Sequence, residues 1–325
     1  LANKAEDFSL LFLLAKNPSS RLKGQATYRR LQLVDSTLSN LSPENTLIGR
    51  LEYDLKAVKG FISSNTFYEI SSGLENKREF SYLRVADGQG VYLWNDYNDN
   101  GVKELNEFEV AGENNSFKAN YIRIFTPTNE YVKVFSNQFN QVLFIRPEVL
   151  LNDKKGALGI LSKLSNKTAY RAERKTSRNE EIYNPFATPI EDSTLVSVSS
   201  TISNTLYINR LGTKFGTDIF FQTNKSKSLL TNGVESRETI SREVRSRYNA
   251  SNSITINNII GWNQKSNNSE LFTNRNFEIE SFEIEPKISY QPGVVFRISL
   301  LGSYSDKNNL LGAERAFSRT IGTEM

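Results

Sequence analysis

The sequence contains no cysteine and no histidine, and only one of its 325 residues is methionine. Without cysteine the chain has no disulfides and no thiolate metal sites. Without histidine it lacks the commonest general base and the commonest transition-metal ligand. The two absences exclude zinc chemistry and Ser-His or Cys-His catalysis within this chain, and we expect it not to be an enzyme.

Long hydrophobic runs are missing as well. Apolar residues make up 38% of the chain, and no stretch of 18 consecutive apolar residues predicts a membrane-spanning helix. The segment Phe8–Leu14 is too short, and Glu6 and Asp7 before it are not typical of a secretory signal. The chain begins at Leu1 without an initiator methionine and ends after a polar run, so we expect it to be a piece of a longer protein.

Charge is nearly balanced. The net charge is +4, with 17 basic and 18 acidic residues in the first 150 positions and 23 and 18 in the remainder. A nucleic-acid binder usually concentrates its basic residues in a patch or stripe. Here the best candidates, Arg171 and Arg174, alternate with Glu173, which is typical of one charged face of a strand. The sequence therefore predicts no nucleic-acid partner.

Residues 1–150 carry the period-two alternation of β-strands. In residues 47–57, for example, Leu51, Tyr53 and Leu55 fall on one face. Turn-forming residues such as Asp87-Gly-Gln-Gly90 separate the strands, which favours an antiparallel meander. We predict a β domain over 1–150 with strands at 24–36, 47–57, 61–70, 78–85, 117–125 and 131–145, the last two joined by a hairpin turn at Thr126–Asn129.

The remainder divides in two. Residues 151–194 are predicted to be a connecting segment, with a short helix around Ala157–Leu164 and a loop over Thr176–Asp192. Residues 195–325 alternate more cleanly and predict long antiparallel strands at 195–209, 214–224, 236–249, 253–264, 276–290 and 294–305. The expected fold class is therefore all-β, with a twisted sheet or partial barrel in the C-terminal half.

Two charged residues bear on whether these strands face lipid. In 236–249, Glu238 and Arg242 share a face with Ile240, Val244 and Tyr248. An arginine at the bilayer midplane costs roughly 2–4 kcal/mol. This pattern favours strands that pack on protein or face water, and it leaves an integral outer-membrane barrel or channel as the alternative.

A specific chemistry is indicated by Trp94–Glu109, which reads WNDYNDNGVKELNEFE. Ca²⁺ prefers six to eight oxygen ligands, and alternating short Asp and Asn side chains supply them from a tight turn. Residues 96–107 match the twelve-position calcium loop, with Gly101 at the sixth position. The predicted ligands, at positions 1, 3, 5, 7, 9 and 12, are Asp96, Asn98, Asn100, Val102 through its carbonyl, Glu104 and Glu107.

The composition of this loop also predicts its role. Three ligands bring charge, Asp96, Glu104 and Glu107, so we expect weak affinity, about 10⁻⁴ to 10⁻³ M. Gly90–Trp94 before the loop has the character of a strand, and without a helix pair to open, a structural ion is favoured over a sensor. The alternative is an ordinary loop, because Asp, Asn and Gly are also the residues of turns.

Three phrases carry a resemblance to a known family. They are residues 49–80, 88–111 and 120–140, the second containing the calcium loop. They resemble a block in very large, β-rich envelope proteins of the Bacteroidetes, and within that group the chain is similar to the Plug family of the type 9 secretion system. The resemblance covers about 100 residues and implies a non-enzymatic component of protein secretion, located at the periplasmic face of the outer membrane.

The resemblance also implies a partner. Plug proteins close the periplasmic opening of a giant outer-membrane translocon barrel, so membrane association is expected to run through that protein. A glycan-binding surface module is a further alternative, because Trp94 and Trp262 could stack on sugars and Glu104 with Glu107 could act as an acid and base pair.

Overall fold

The structure is a computed structural model, and it describes residues 3–34, 44–111, 113–152, 154–177, 184, 195–230, 233–270 and 276–325. Its strands form one antiparallel sheet in the order β1-β2-β3-β4-β7-β8-β9-β10-β11-β12-β13-β14-β15, with β5 and β6 as a side hairpin on β7. The predicted all-β class with long antiparallel strands is confirmed. The strands are β1 Asn3–Asn17, β2 Ser20–Leu33, β3 Glu44–Ala57, β4 Ile62–Arg84, β5 Tyr92–Trp94, β6 Phe108–Val110, β7 Tyr121–Ile145, β8 Leu164–Thr176, β9 Leu195–Ile208, β10 Phe215–Leu230, β11 Gly233–Asn249, β12 Ile254–Ser269, β13 Phe277–Tyr290, β14 Ile298–Asn309 and β15 Arg315–Glu324.

The helices are short. Two α-helices, α1 Glu148–Leu151 and α2 Ala157–Leu161, lie between β7 and β8, and α2 matches the helix predicted there. In the part of the chain that the structure describes, no helix is long and apolar enough to cross a membrane. Most of the loop predicted over Thr176–Asp192 lies outside the described residues. The same range of 151–194 also contains β8, which pairs with β7 on one side and β9 on the other.

Two long strands correct the predicted boundaries. The strands predicted at 61–70 and 78–85 form the single strand β4, and those at 117–125 and 131–145 form β7. The hairpin turn predicted at Thr126–Asn129 is wrong, because Thr126 pairs with Glu79 and Pro127 with Arg78 inside the β4–β7 ladder. Proline is tolerated there because the register shifts between Asn76 and Arg78, and a proline within a sheet is usually confined to such irregularities or to edges.

The distal halves of β4 and β7 form a two-stranded arm. Strand β3 pairs with β4 only up to Ser71, and β8 pairs with β7 only from Phe135. Beyond those points β4 and β7 pair with each other, and the β5–β6 hairpin attaches through Tyr92 and Tyr121. We call residues 74–84 and 121–134 the arm.

The sheet is a single curved layer with little enclosed core. Its solvent-accessible surface is 21121 Å² for 36.9 kDa, whereas a compact monomer of that mass exposes roughly 14,000 Å². The curvature brings the arm towards β12, since Arg123 Nη2 lies 3.8 Å from Glu270 Oε2 although four strands stand between β7 and β12 in the sheet order. Among the described residues the buried apolar side chains are Tyr92, Ala119, Tyr121, Val134 and Ala172.

Candidate metal centre

The predicted calcium loop connects β5 to β6 at the end of the arm. The two three-residue strands pair Tyr92 with Val110 and Trp94 with Phe108, and Asn95 N donates to Glu107 O at 2.9 Å to close the loop. A hairpin of two strands is marginal by itself in water. The loop therefore needs support from the sheet below it and from its own internal contacts.

Support from below comes from an aromatic cluster of Tyr82, Tyr92, Phe108 and Tyr121. The Tyr82 ring stacks on Phe108 with centroids 3.9 Å apart, and Tyr121 meets Phe108 edge to face at 5.0 Å. Tyr92 is 5% exposed and Tyr121 6%. The cluster fixes the hairpin to both strands of the arm, and its members were not predicted because they are distant in sequence.

The turn before β5 holds the hairpin close to β7. Gly88 has φ +79°, and the amides of Gly88 and Gly90 both donate to Ala119 O at 2.9 Å. Val91 N then donates to Tyr121 O at 2.8 Å. The predicted Asp87–Gly90 turn thus supplies backbone hydrogen bonds that hold the hairpin of the predicted calcium loop against residues 119–121.

The loop backbone is folded around its own oxygen atoms. Asp96 accepts hydrogen bonds from Asn100 N at 3.2 Å and from Gly101 N at 2.8 Å, while Asn98 Oδ1 accepts from Asn100 N at 3.1 Å. Asn100 Oδ1 accepts from Val102 N at 2.6 Å. Asp99 and Gly101 take positive φ values of 55° and 70°, a conformation that aspartate and glycine tolerate best. The predicted position-6 glycine is where the turn requires it.

The structure brings part of the predicted ligand set together. Glu104 accepts from the side-chain amides of Asn98 and Asn100 at 3.4 and 3.3 Å, and its backbone N–H donates to Glu107 Oε2 at 3.2 Å. Within the described residues, no three acidic, histidine or cysteine side chains gather closely enough to share a metal ion. Asp96, Glu104 and Glu107 thus do not form such a group, and amide and carbonyl oxygens make up the rest of the predicted set.

Glu107 is the residue that most strongly indicates a cation. It is 1% exposed, and Trp94 Nε1 donates to its Oε2 at 2.8 Å. Its other oxygen, Oε1, is buried and has no hydrogen-bond partner. A buried carboxylate with an unpaired oxygen is costly, and binding of a cation relieves that cost. The residues present therefore fit a hard, oxygen-preferring ion.

Lys103 links the loop to β5 and β7 through two aromatic rings. Its Nζ lies 5.6 Å from the Trp94 ring centroid and 5.4 Å from that of Tyr121, a favourable cation–π arrangement.

Glu109 accepts two hydrogen bonds from the start of the loop. Tyr97 Oη and Asn95 Nδ2 both donate to it. The hydrogen bond to Glu109 raises the pKa of Tyr97. The contacts of Lys103 and Glu109 lie outside the twelve-position pattern and could not be predicted from it.

A pH dependence follows from the aromatic cluster. Burial raises the pKa of Tyr82 and Tyr92 above the ordinary value of 10.0, because the neutral phenol is favoured in the cluster. Their contribution to stability is therefore fully present below pH 10 and is lost as the pH rises through the raised values. We expect the hairpin to open in alkali, as measured by hydrogen exchange of its amides, and replacement of both tyrosines by phenylalanine should shift that opening to higher pH. Exposed Tyr131→Phe serves as the control, and an unchanged opening pH in the double variant would contradict the assignment.

The comparisons with known proteins identify no relative: no family model matches the chain, and no curated protein matches it.

Proposed function

We propose that the chain is a non-enzymatic, calcium-stapled β protein of the bacterial outer envelope, and that it serves protein secretion by occupying the periplasmic opening of an outer-membrane translocon pore. The observation that carries the calcium part is the buried, unpaired Oε1 of Glu107 within a loop of otherwise suitable oxygen ligands. The secretion part rests on the sequence resemblance to the Plug family.

The arrangement of the resembling segments supports the proposal. Residues 49–80 lie in β3 and β4, residues 88–111 contain β5, the loop and β6, and residues 120–140 lie in β7. Segments separated in sequence thus meet in one part of the sheet, formed by β3, β4 and β7 with the β5–β6 hairpin that carries the loop. A steric role needs a rigid unit of this kind and does not need a reactive centre.

The carboxylate pair also favours a metal over glycan chemistry. Glu107 is 1% exposed and is held by Trp94 and the Glu104 amide, so it is not presented to a substrate. One face of Trp94 is approached by Lys103, which leaves less of the ring free for stacking on a sugar. We therefore propose no catalytic role for Glu104 and Glu107.

An integral outer-membrane barrel or channel protein is the second candidate, and the distribution of apolar side chains in β9–β15 favours it. The exposed large apolar side chains of these strands share one face of the sheet. Extraction of outer membranes separates the two candidates, because a pore-occupying protein leaves with high salt or with loss of its partner, whereas a lipid-facing protein requires detergent.

The proposed function is tested by affinity purification from detergent-solubilised outer membranes, with calcium and with a chelator. We expect a much larger integral outer-membrane protein to copurify in calcium and to be reduced by the chelator, because loss of the ion loosens the arm. Glu107→Gln should behave in calcium as the wild type behaves in chelator. Elution of the chain alone under every condition would contradict the pore-occupying role.

A further inference from the structure

The C-terminal strands have two chemically different faces. Every large apolar side chain that is exposed within the described residues of β9–β15 lies on the face shared by Ile260. We call this the apolar face. The adjacent residue Gly261 lies on the opposite face, in register with Glu243 and Glu283. A soluble sheet buries its apolar face on a second layer, and the described part of this chain supplies none.

On β12 and β13 the apolar face forms a band of equal length. Along β13 it extends from Tyr290 to Phe282, and along β12 from Ile254 to Trp262, which at the rise of a β-strand is about 27 Å. Cross-strand pairing aligns Trp262 with Phe282 at one boundary and Ile254 with Tyr290 at the other. An apolar band about 25 Å tall with aromatic residues at both borders is the pattern of strands that face a bilayer.

Charged side chains are few on the apolar face. Between these boundaries the described residues of this face in β9–β15 include one, Arg319, which lies level with Ile260 through Ile284 and Tyr304 and whose guanidinium lies 5.6 Å from the Tyr304 ring centroid. At the boundary, Asp306 aligns with Phe282 and pairs with Arg315 at 2.6 Å. Arg242 aligns with Trp262 at the boundary, where long cationic side chains reach headgroups. Glu238 lies beyond it and pairs with Lys225 at 2.9 Å. Glu238 and Arg242, which in the sequence argued against lipid, therefore lie at or outside the edge of the band.

We propose that the apolar face contacts the hydrocarbon core of a lipid bilayer, with Trp262 near one headgroup layer and Tyr290 near the other. This deepens the second candidate function, an integral outer-membrane protein, on which it rests, and it does not depend on calcium. A protein partner or a second copy would require a complementary patch but not a band of low charge between aromatic rows. Because hydrocarbon tolerates no unpaired backbone groups, the outer edge of β15 must pair with a further strand in the membrane.

The two tryptophans allow a direct test, because Trp262 lies on the apolar face and Trp94 lies in the metal loop. The chain is reconstituted into phosphatidylcholine vesicles whose acyl chains carry bromine, a contact quencher of indole fluorescence. We expect the wild type to lose most of the Trp262 emission, and Trp262→Phe, which retains Trp94, to be unquenched. Adding Asn263→Trp to Trp262→Phe moves the indole to the opposite face and should restore emission that bromine does not quench.

A second pair of variants tests the same face by charge. Ile260→Arg places a charge in the middle of the band, and we expect the vesicle-bound fraction to fall roughly 30-fold or more. Ile259→Arg makes the same change on the opposite face and should have little effect. Three results would each overturn the proposal. The first is equal quenching of all tryptophan positions, and the second is vesicle binding that Ile260→Arg leaves unchanged. The third is Trp262 buried in a dimer in lipid-free solution with no quenching in vesicles. Loss of calcium binding would leave it standing.

Discussion

Glu107→Gln is expected to weaken calcium binding about 100-fold, which corresponds to ~2.7 kcal/mol. The substitution removes one of the three charged side chains of the proposed ligand set, the carboxylate at the twelfth position, which is bidentate in calcium loops of this pattern. The shape of the side chain is kept, and the amide oxygen can still accept from Trp94 Nε1. Calorimetric titration of the loop with calcium measures the change directly.

The same substitution should have the opposite sign without calcium. In the metal-free protein Glu107 keeps a buried, unpaired oxygen, and a neutral amide lowers the cost of that burial. We therefore expect the β5–β6 hairpin of the variant to be more protected against hydrogen exchange than the wild type in chelator, and less protected in saturating calcium. Glu285→Gln removes the same charge from an exposed position on β13, away from the loop, and should change neither quantity appreciably. A variant that binds calcium like the wild type would remove the metal centre from the proposed function.

Gly90→Ala is expected to destabilise the hairpin by about 3 kcal/mol, at the upper end of what overpacking usually costs. A Cβ at this position would lie 2.5 Å from Tyr121 N and 2.7 Å from Asn120 N. Both atoms belong to backbone, so no side-chain rotation can relieve the overlap. The hydrogen bonds from Gly90 and Val91 to the segment 119–121 would have to lengthen, and the aromatic cluster would separate.

Hydrogen exchange of the Tyr92, Trp94 and Phe108 amides measures this local opening. Gly73→Ala is the matched control, because a Cβ at Gly73 meets nothing within 4 Å, and alanine restricts the unfolded chain more than glycine does. It should be neutral or slightly stabilising. Unchanged protection in Gly90→Ala would mean that the turn is not tightly held against β7.

Local pattern was enough to predict the strands and the loop, but not their extents. The period-two alternation identified β3, β9, β11 and β13 within three residues of their ends, whereas β10 and β12 continue five or six residues past the predicted ends. It failed at Thr126–Asn129, which has the composition of a turn although Thr126 and Pro127 pair with β4. It also missed β15, and it missed β1, where the apolar run Leu10–Leu14 has no alternation.

The turn at 96–107 was predictable because its residues are close in sequence, whereas what surrounds it was not. Spacing alone placed Asp96, Asn98 and Asn100 in the turn. Glu107 is almost fully buried beside Trp94, in a hairpin that Tyr82 and Tyr121 of distant strands hold through Phe108. The cross-strand register likewise decides the meaning of Arg242, since a single strand does not reveal that its neighbour is Trp262.

The hairpin inserted between β4 and β7 has a consequence for the order of folding. The pair Arg84 with Tyr121 is the end of the β4–β7 ladder next to the hairpin. Forming it closes a loop of residues 85–120, and the entropy cost of loop closure rises with the length of free chain. If calcium binds at 96–107 as proposed, it would shorten that loop before any long-range pair exists. Binding of the ion would then favour pairing of β4 and β7 from the end at Arg84 and Tyr121. The calcium concentration would therefore influence how fast this ladder, the longest in the described sheet, reaches its register.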